Sequence, residues 1–279
     1  MSSADTARHT PPDASDGTAT EAAPGTTAEQ AGPRAGRTAV ASWKALWWQL
    51  GGIALGFALV VGWLATADLT ETERATLAPD ALWGYAQEHL QLTVVAALIV
   101  LVVAIPLGIL LTRGRLRRFS APVMALANIG QAAPAIGLVV LLAFWLGFGF
   151  WAAVVALVAY ALLPVLRNTM VGLRQVDERL IEAGRGMGMS AAAVLFKVEL
   201  PLAVPVMLSG IRTALVLLVG TATLATFING GGLGILITTG VNLNLTTVLV
   251  AGSLLVALLA LVVDWLGRLV EHVARPKGL

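Results

Sequence analysis

Six stretches of this sequence are apolar over about twenty residues each, and they leave the chain little choice of solvent. They fall at about Ala45–Thr66, Gln91–Leu111, Val123–Leu146, from the Gly147–Trp151 turn to Leu166, Val206–Ile228 and Thr247–Leu266. A helix of about 20 apolar residues matches the hydrocarbon thickness of a bilayer. The composition agrees, with 57% hydrophobic and 12% charged residues and a mean hydropathy of +0.83, against about 25% charged in soluble domains. The expected fold is therefore all-α and membrane-integral, with about six spans.

Charge follows the same division. The net charge of +2 and a pI near 9.4 do not point to nucleic acid, because the basic residues sit in short segments beside the spans, where they orient helices. Sixteen of the 18 Lys and Arg residues fall on the side that holds the N-terminus, the 113–118 segment, the 167–205 region and the C-terminus. Arg74 lies opposite and Arg212 lies within a span. Positive charge stays inside, so both termini are predicted to be cytoplasmic. Trp43, Trp47 and Trp48 suit the headgroup layer at the start of the first span. With no cysteine, thiolate metal sites and cysteine nucleophiles are excluded.

The first 38 residues, rich in Ala, Thr, Pro, Gly and Asp, contain no aromatic residue. Such a segment cannot bury enough apolar surface to offset its ordering entropy, so it is expected to be a disordered tail. It does not read as a signal peptide, because the first apolar run begins only near Ala45 and is too long.

Several spans carry breaks. Pro106, Pro134 and Pro164 each remove a helical hydrogen bond, which lipid cannot replace. Gln131 beside Pro134 is a candidate for lining a path, although a packing kink accounts for it as well. After the fifth span, Asn229-Gly230-Gly231-Gly232-Leu233-Gly234 is expected to form a sharp turn or re-entrant element near the outer face. It lacks the Lys-Ser/Thr of a phosphate loop and follows no strand. No Walker sequence occurs anywhere. Arg212 and Asp264 both lie in the cytoplasmic halves of their spans and can pair or snorkel. His9, His89 and His272 are too dispersed to suggest a metal site or a triad.

The longest hydrophilic interval after residue 90 runs from Val176 to Pro205. Leu180, Ile181, Gly184 and Met187 recur at helical spacing, which predicts a short helix with one apolar face and one bearing Glu178, Glu182 and Arg185. Gly186 and Gly188 permit a sharp turn, Ser190 can cap a second helix over about Ala191–Glu199, and Pro201 disfavours helix at Leu200, marking the return to the bilayer. A helix–turn–helix of this kind can seat in a partner's cleft. An amphipathic helix on the membrane surface fits less well, because the apolar face is narrow and the charges are mixed.

Glu182-Ala183-Gly184, then Gly188, then Val198-Glu199-Leu200-Pro201 keep the spacing E-A-A, three residues, G, nine residues, I-x-L-P. This resembles the cytoplasmic EAA loop of the permease subunits of ABC importers, with Gly184 for the second Ala and Val198 for Ile. Ile105-Pro106-Leu107-Gly108, Gln131-x-x-Pro134, Leu163-Pro164-x-x-Arg167-Asn168-Thr169, Gly210-Ile211-Arg212-Thr213-Ala214 and Gly231-Gly232-Leu233-Gly234 are similar to the osmoprotectant branch, which takes up glycine betaine, carnitine, choline and proline. Asn229-Gly230 departs from the expected Gly-Ala. The likeness covers about residues 85–270.

The resemblance implies a type I (MetI-like) importer permease in the bacterial cell membrane. Composition and hydropathy set off a disordered cytoplasmic tail over 1–38 and a first transmembrane helix and external loop over 39–90, and the resemblance makes 91–279 a permease core with its coupling loop at 176–205. It implies coupling through Glu182, Ala183, Gly184, Gly188, Leu200 and Pro201, and pathway or gating roles for Gln131, Pro134, Asn168, Arg212, Asn229, Gly231, Gly232 and Gly234. The implied partners are a dimer of ATP-binding subunits, a second permease subunit, identical or paralogous, an extracytoplasmic solute-binding protein and the lipid bilayer. No nucleic acid, metal or cofactor is expected on this chain, which is not itself an enzyme; ATP and Mg belong to the partner subunit. The alternatives are a permease for an amino acid such as methionine, and an ion-driven secondary transporter. The latter expects an inverted repeat and intramembrane acidic or His relays, and Asp264 alone does not supply them.

Overall fold

The structure, a computed structural model, describes residues 43–274; the expected tail over 1–38 lies outside them. Eleven α-helices are described, joined by 3-10 and π turns. Five long helices have the length and apolar composition to cross a membrane: α1 (Trp43–Thr66), α3 (Pro79–Leu111), α6 (Phe150–Arg174), the composite Ala191–Ile228, and α11 (Thr246–Val273). A bent pair, Gly114–Ala132 and Ala135–Leu146, makes a sixth crossing when taken together. Its halves are α4 (Ser120–Ala132) and α5 (Ala135–Leu146).

Helix boundaries depart from the apolar runs in a consistent way. Helix α3 begins at Pro79, ahead of the run at Gln91, because Pro in the first turn suits a helix start and Asp80 complements the N-terminal dipole. Helix α6 continues past Leu166 to Arg174. Hydropathy marks the part of a helix that lipid can cover, whereas the hydrogen-bonded rod runs on into polar surroundings. The break expected near Pro134 is sharper than a kink: the halves turn by 101°, with Ala133 and Pro134 extended between them. Pro106, Pro164 and Pro205 lie inside continuous helices.

Helix α6 packs along both α3 and α9 (Leu200–Ala222), and α11 packs against α9, α1 and α10 (Gly234–Asn242). The closest approaches use small residues, as expected where packing and not water exclusion holds helices together. A Cβ on Gly210 would come within 2.5 Å of Asn168, and one on Gly172 within 3.0 Å of the Ala203 carbonyl. The main core is built from α3, α4, α5, α6 and α9 around Leu92, Val100, Leu157, Leu166 and Leu218. A second cluster joins α10 to α11 through Leu236, Val248 and Ala251. A third, at the opposite end of α9, seats Leu173, Ala203 and Met207 against Ile105, Ile109, Leu195 and Leu200. Phe57, Leu98, Val102, Phe144 and Trp145 are exposed apolar side chains on the outside of the bundle.

Candidate functional site

The polar features gather at two ends of the bundle. One, the basic end, carries the 113–118 turn and the hairpin at 177–199. The other, the glycine end, carries the turn at 229–234.

At the basic end, α7 (Glu178–Gly186) starts with Asp177 as its cap, whose Oδ1 accepts from the Arg179 N–H at 2.9 Å. Helix α7 closes where the Met187 N–H donates to the Ala183 carbonyl, and the chain reverses at Gly188 with φ +82. That angle lies in the left-handed region, where a Cβ is strained. Ser190 then caps α8 (Ala191–Val194), its Oγ accepting from the Ala193 N–H. Gly184 is buried against Val194, Met189 and Val198, so the motif's small residue is what lets the two arms close.

Two expectations for this hairpin need correction. The apolar face of α7 is split: Gly184 is buried and Ile181 half-buried, whereas Leu180 and Met187 are exposed. Pro201 does not break the helix at Leu200. It lies in the first turn of α9, directly after the π turn, and Leu200 is helical at φ −60 and ψ −48. The irregularity falls one step earlier, in a π turn over Leu195–Glu199 closed by the Leu200 N–H on the Leu195 carbonyl. This wider turn leaves Phe196 and Lys197 exposed while burying Val194 and Glu199.

Glu199 was not singled out by the sequence. It is 3% exposed, and its carboxylate is gripped by both Nη atoms of Arg113, Nη1 to Oε1 at 3.0 Å and Nη2 to Oε2. The burial of its charge emerges only in the fold, because Arg113 lies 86 residues away. Glu182 and Ala183, in contrast, are exposed on α7.

The expected pair of Arg212 and Asp264 forms, as part of a larger network. Arg212 Nε lies 3.6 Å from Asp264 Oδ1, and its Nη1 lies 3.2 Å from Glu271 Oε2. Asp264 Oδ2 accepts from Arg268 Nε at 2.8 Å and from Gln49 Nε2 at 3.0 Å. The Trp265 indole N–H donates to the Leu46 carbonyl. A Cβ on Gly267 would meet Arg212, so this glycine makes room for the guanidinium stem. The network staples α1, α9 and α11.

At the glycine end, Asn229 is left-handed at φ 59, followed by Gly231 at φ +83 and Gly232 at φ +94. Gly234 starts α10, a short helix that the hydropathy pattern did not predict. A Cβ there would sit 2.0 Å from the Thr223 carbonyl. The turn is held by α3: Glu88 Oε2 accepts from the Gly232 N–H at 2.9 Å, and His89 Nε2 donates to the Val219 carbonyl at 2.9 Å. The His89 Nδ1 faces Gly232, buried and without a partner. A cleft of about 140 Å³ opens between the end of the composite helix and α10, lined by Thr223, Phe227, Gly234, Thr238 and Asn242 among others.

The expected pathway residues thus occupy separate places. Gln131, half-buried, and Pro134, exposed, are at the bend. Asn168 packs on Gly210 at the α6–α9 crossing, and Arg212, two residues further on, is ion-paired. Asn229, Gly231, Gly232 and Gly234 form the glycine turn. Among the described residues, no group of three His, Asp or Glu side chains is disposed to hold a metal ion.

Apolar crossings interrupted by proline and glycine, with a charged hairpin standing outside them, define a polytopic membrane transport component. The chain belongs to the family of binding-protein-dependent transport system inner membrane components, whose pattern matches residues 104–275. It is 40% identical over 192 residues to the glycine betaine/carnitine/choline transport system permease protein OpuCB of Bacillus subtilis (strain 168), covering 69% of this chain and 88% of that one. It is 38% identical over 197 residues to the osmoprotectant import permease protein OsmW of Salmonella typhimurium, covering 69% and 91%. Among solved structures, it superposes on a chain of the MetNI methionine ABC transporter in an inward-facing conformation, with a TM-score of 0.61 and 25% identity, covering 72% of this chain and all of that one.

Proposed function

We propose that this chain is the translocation subunit of an ATP-driven importer for a compatible solute of the quaternary-amine class: glycine betaine, choline, carnitine or proline. Relatives at 37–40% identity that are named for glycine betaine, carnitine or choline, or for osmoprotectant import, support the choice over methionine. ATP hydrolysis would reside on a separate pair of ATP-binding subunits, with ATP and Mg bound there. A second permease subunit would complete the pathway, and an extracytoplasmic binding protein would deliver the solute. The basic end would face the cytoplasm, in keeping with its excess of Arg and Lys.

The observation that carries the coupling role is the surface of the 177–199 hairpin. Leu180, Met187 and Phe196 are 47%, 72% and 66% exposed beside Glu182 and Arg185. Apolar anchors ringed by charge are what a partner's cleft buries. Glu182, Ala183 and Gly188 shape the docking hairpin, and Leu200 and Pro201 join it to α9. Closure of the ATP-binding pair would move the hairpin as a body and switch the spans between inward- and outward-facing states.

Two measurements test this. Proteoliposomes holding the full complex should take up labelled betaine or choline in preference to methionine; methionine-selective uptake overturns the solute assignment. Glu182→Lys and Gly188→Pro should abolish uptake while the chain still inserts in the membrane. Pro cannot adopt the positive φ of residue 188. Unchanged ATP-dependent uptake in both variants overturns the coupling role.

A further inference from the structure

The hairpin is joined to the spans along the chain at both of its ends and across the chain at one point. It follows α6 after residues 175–177 and continues through the π turn directly into α9. The third connection is the grip of Arg113 on Glu199, between residues 86 apart in sequence. Arg113 is itself fixed at the foot of α3: its N–H donates to the Leu110 carbonyl and its own carbonyl accepts from the Arg117 N–H. Ile105 and Ile109 of α3 and Leu195 and Leu200 at the root of the hairpin pack against one shared cluster of Leu173, Ala203 and Met207. Hairpin and α3 therefore move together at this joint.

At its far part, α3 carries Glu88 and His89, the two residues that hold the glycine turn and the Val219 carbonyl. Between these residues and its end at Leu111, α3 runs as one helix, with Pro106 inside it. That segment is a rod of about 35 Å at about 1.5 Å per residue.

We propose that α3 is a push-rod: Glu199 drives it through Arg113, and Glu88 and His89 deliver its displacement to the glycine turn at the opposite end. Arg113, Glu199, Glu88 and His89 are positioning residues in this scheme and touch neither nucleotide nor solute. The π turn has a function in it, because it aims Glu199 inward while keeping Phe196 outward for docking. The inference rests on the coupling role proposed above for the hairpin. It adds that the outer turn is commanded through α3 and not only through α6 and α9, which the hairpin joins along the chain.

The absence of cysteine allows a test on the whole complex, reconstituted with cysteine-free partner subunits. An environment-sensitive fluorophore is placed on Ala192→Cys in the hairpin or on Leu243→Cys just beyond α10, both at exposed positions. With Mg-ATP and vanadate, both labels should shift in the parent. In Glu199→Gln, which keeps the side chain's shape, the 192 shift should persist and the 243 shift should fall by about fivefold, within the range that altered coupling networks produce. The Arg113→Glu/Glu199→Arg exchange should restore most of it. If the 243 shift survives intact in Glu199→Gln, the push-rod is overturned and the coupling role stands. If neither label shifts in the parent, the coupling role falls and the push-rod with it. If Glu199→Gln loses both shifts and the exchange does not recover them, the pair serves folding only, and the push-rod is again overturned.

Discussion

The two ends of the bundle are held by opposite means. At the basic end, contacts between elements distant in sequence are made by long polar side chains: Arg113 on Glu199, and Arg212 and Gln49 on Asp264, which Arg268 also holds from within α11. At the glycine end, side chains are removed so that backbone can meet backbone, as at Gly234 on Thr223 and Gly240 on Leu249. The partly exposed contacts around Asp264 can break and re-form at modest cost, whereas the buried Glu199 holds Arg113 firmly. A glycine contact lacks the latitude of the Asp264 network, because any Cβ must displace main chain. The basic end therefore combines one firm joint with an adjustable network, and the glycine end is a fixed geometry that moves as a unit.

Breaking the fixed end should have the largest effect. Gly234→Val would force a side chain to within 2.0 Å of the Thr223 carbonyl. The expected loss exceeds the about 1–3 kcal/mol of ordinary overpacking, seen as collapse of the monodisperse peak and a lower Tm in detergent. A stable, active Gly234→Val protein would mean that this end is as adjustable as the Asp264 network.

Next in size is the charge network. Asp264→Ala leaves Arg212 with Glu271 but removes the acceptor shared by Arg268 and Gln49. The groups are partly exposed, so the loss should fall below the about 3–5 kcal/mol of a fully buried broken pair, at about 1–2 kcal/mol. Asp264→Asn, which still accepts from Gln49, should lose less. The ordering of the two Tm values checks this, and equal values would remove Asp264 as the hub.

A smaller effect is expected at the hairpin turn. Gly188→Ala places a Cβ at φ +82 with open space around it, so the strain is conformational alone, about 1 kcal/mol. Transport should fall while assembly with the ATP-binding subunit persists, in contrast to Gly234→Val.

This contrast also explains what was legible in the sequence. Apolar runs and basic segments report on solvent, so the spans and the basic end could be read directly. The spacing Glu182–Gly188–Pro201 is local, and the hairpin, the Ser190 cap and the Gly188 turn followed from it. Glu199 could not be found this way, because its partner Arg113 lies 86 residues away and the π turn that aims it leaves no mark in composition. Helix α10 was hidden for a related reason. Its nine residues are too few for a span and follow a glycine run, so only packing on α11 makes it a helix. His89 read as one of three scattered histidines until the fold set it against Val219 and Gly232.

The smallest expected effect sharpens the comparison from a third place, the short helix α2 (Glu71–Thr76) between α1 and α3. Glu73 is buried there, and its Oε2 accepts from both the N–H and the hydroxyl of Thr70 in a capping box. The Thr70 N–H, then the Thr70 hydroxyl, then Thr247 on α11 hold its carboxyl below the usual glutamate range. The sign follows from that direction: a depressed folded-state value stabilises above the unfolded pKa, and the contribution is lost as pH falls through the folded one. Amide protection of residues 70–76 should therefore weaken on acidification below the ordinary glutamate range, and the span helices should not follow. In Glu73→Gln the carboxamide can still accept from Thr70 but cannot titrate, so the acid-dependent step should vanish while the protection at neutral pH is largely kept. A step that persists in Glu73→Gln would assign the acid sensitivity to another carboxylate. α2 would then be fastened by packing, and not by a charged contact of the kind that marks the basic end.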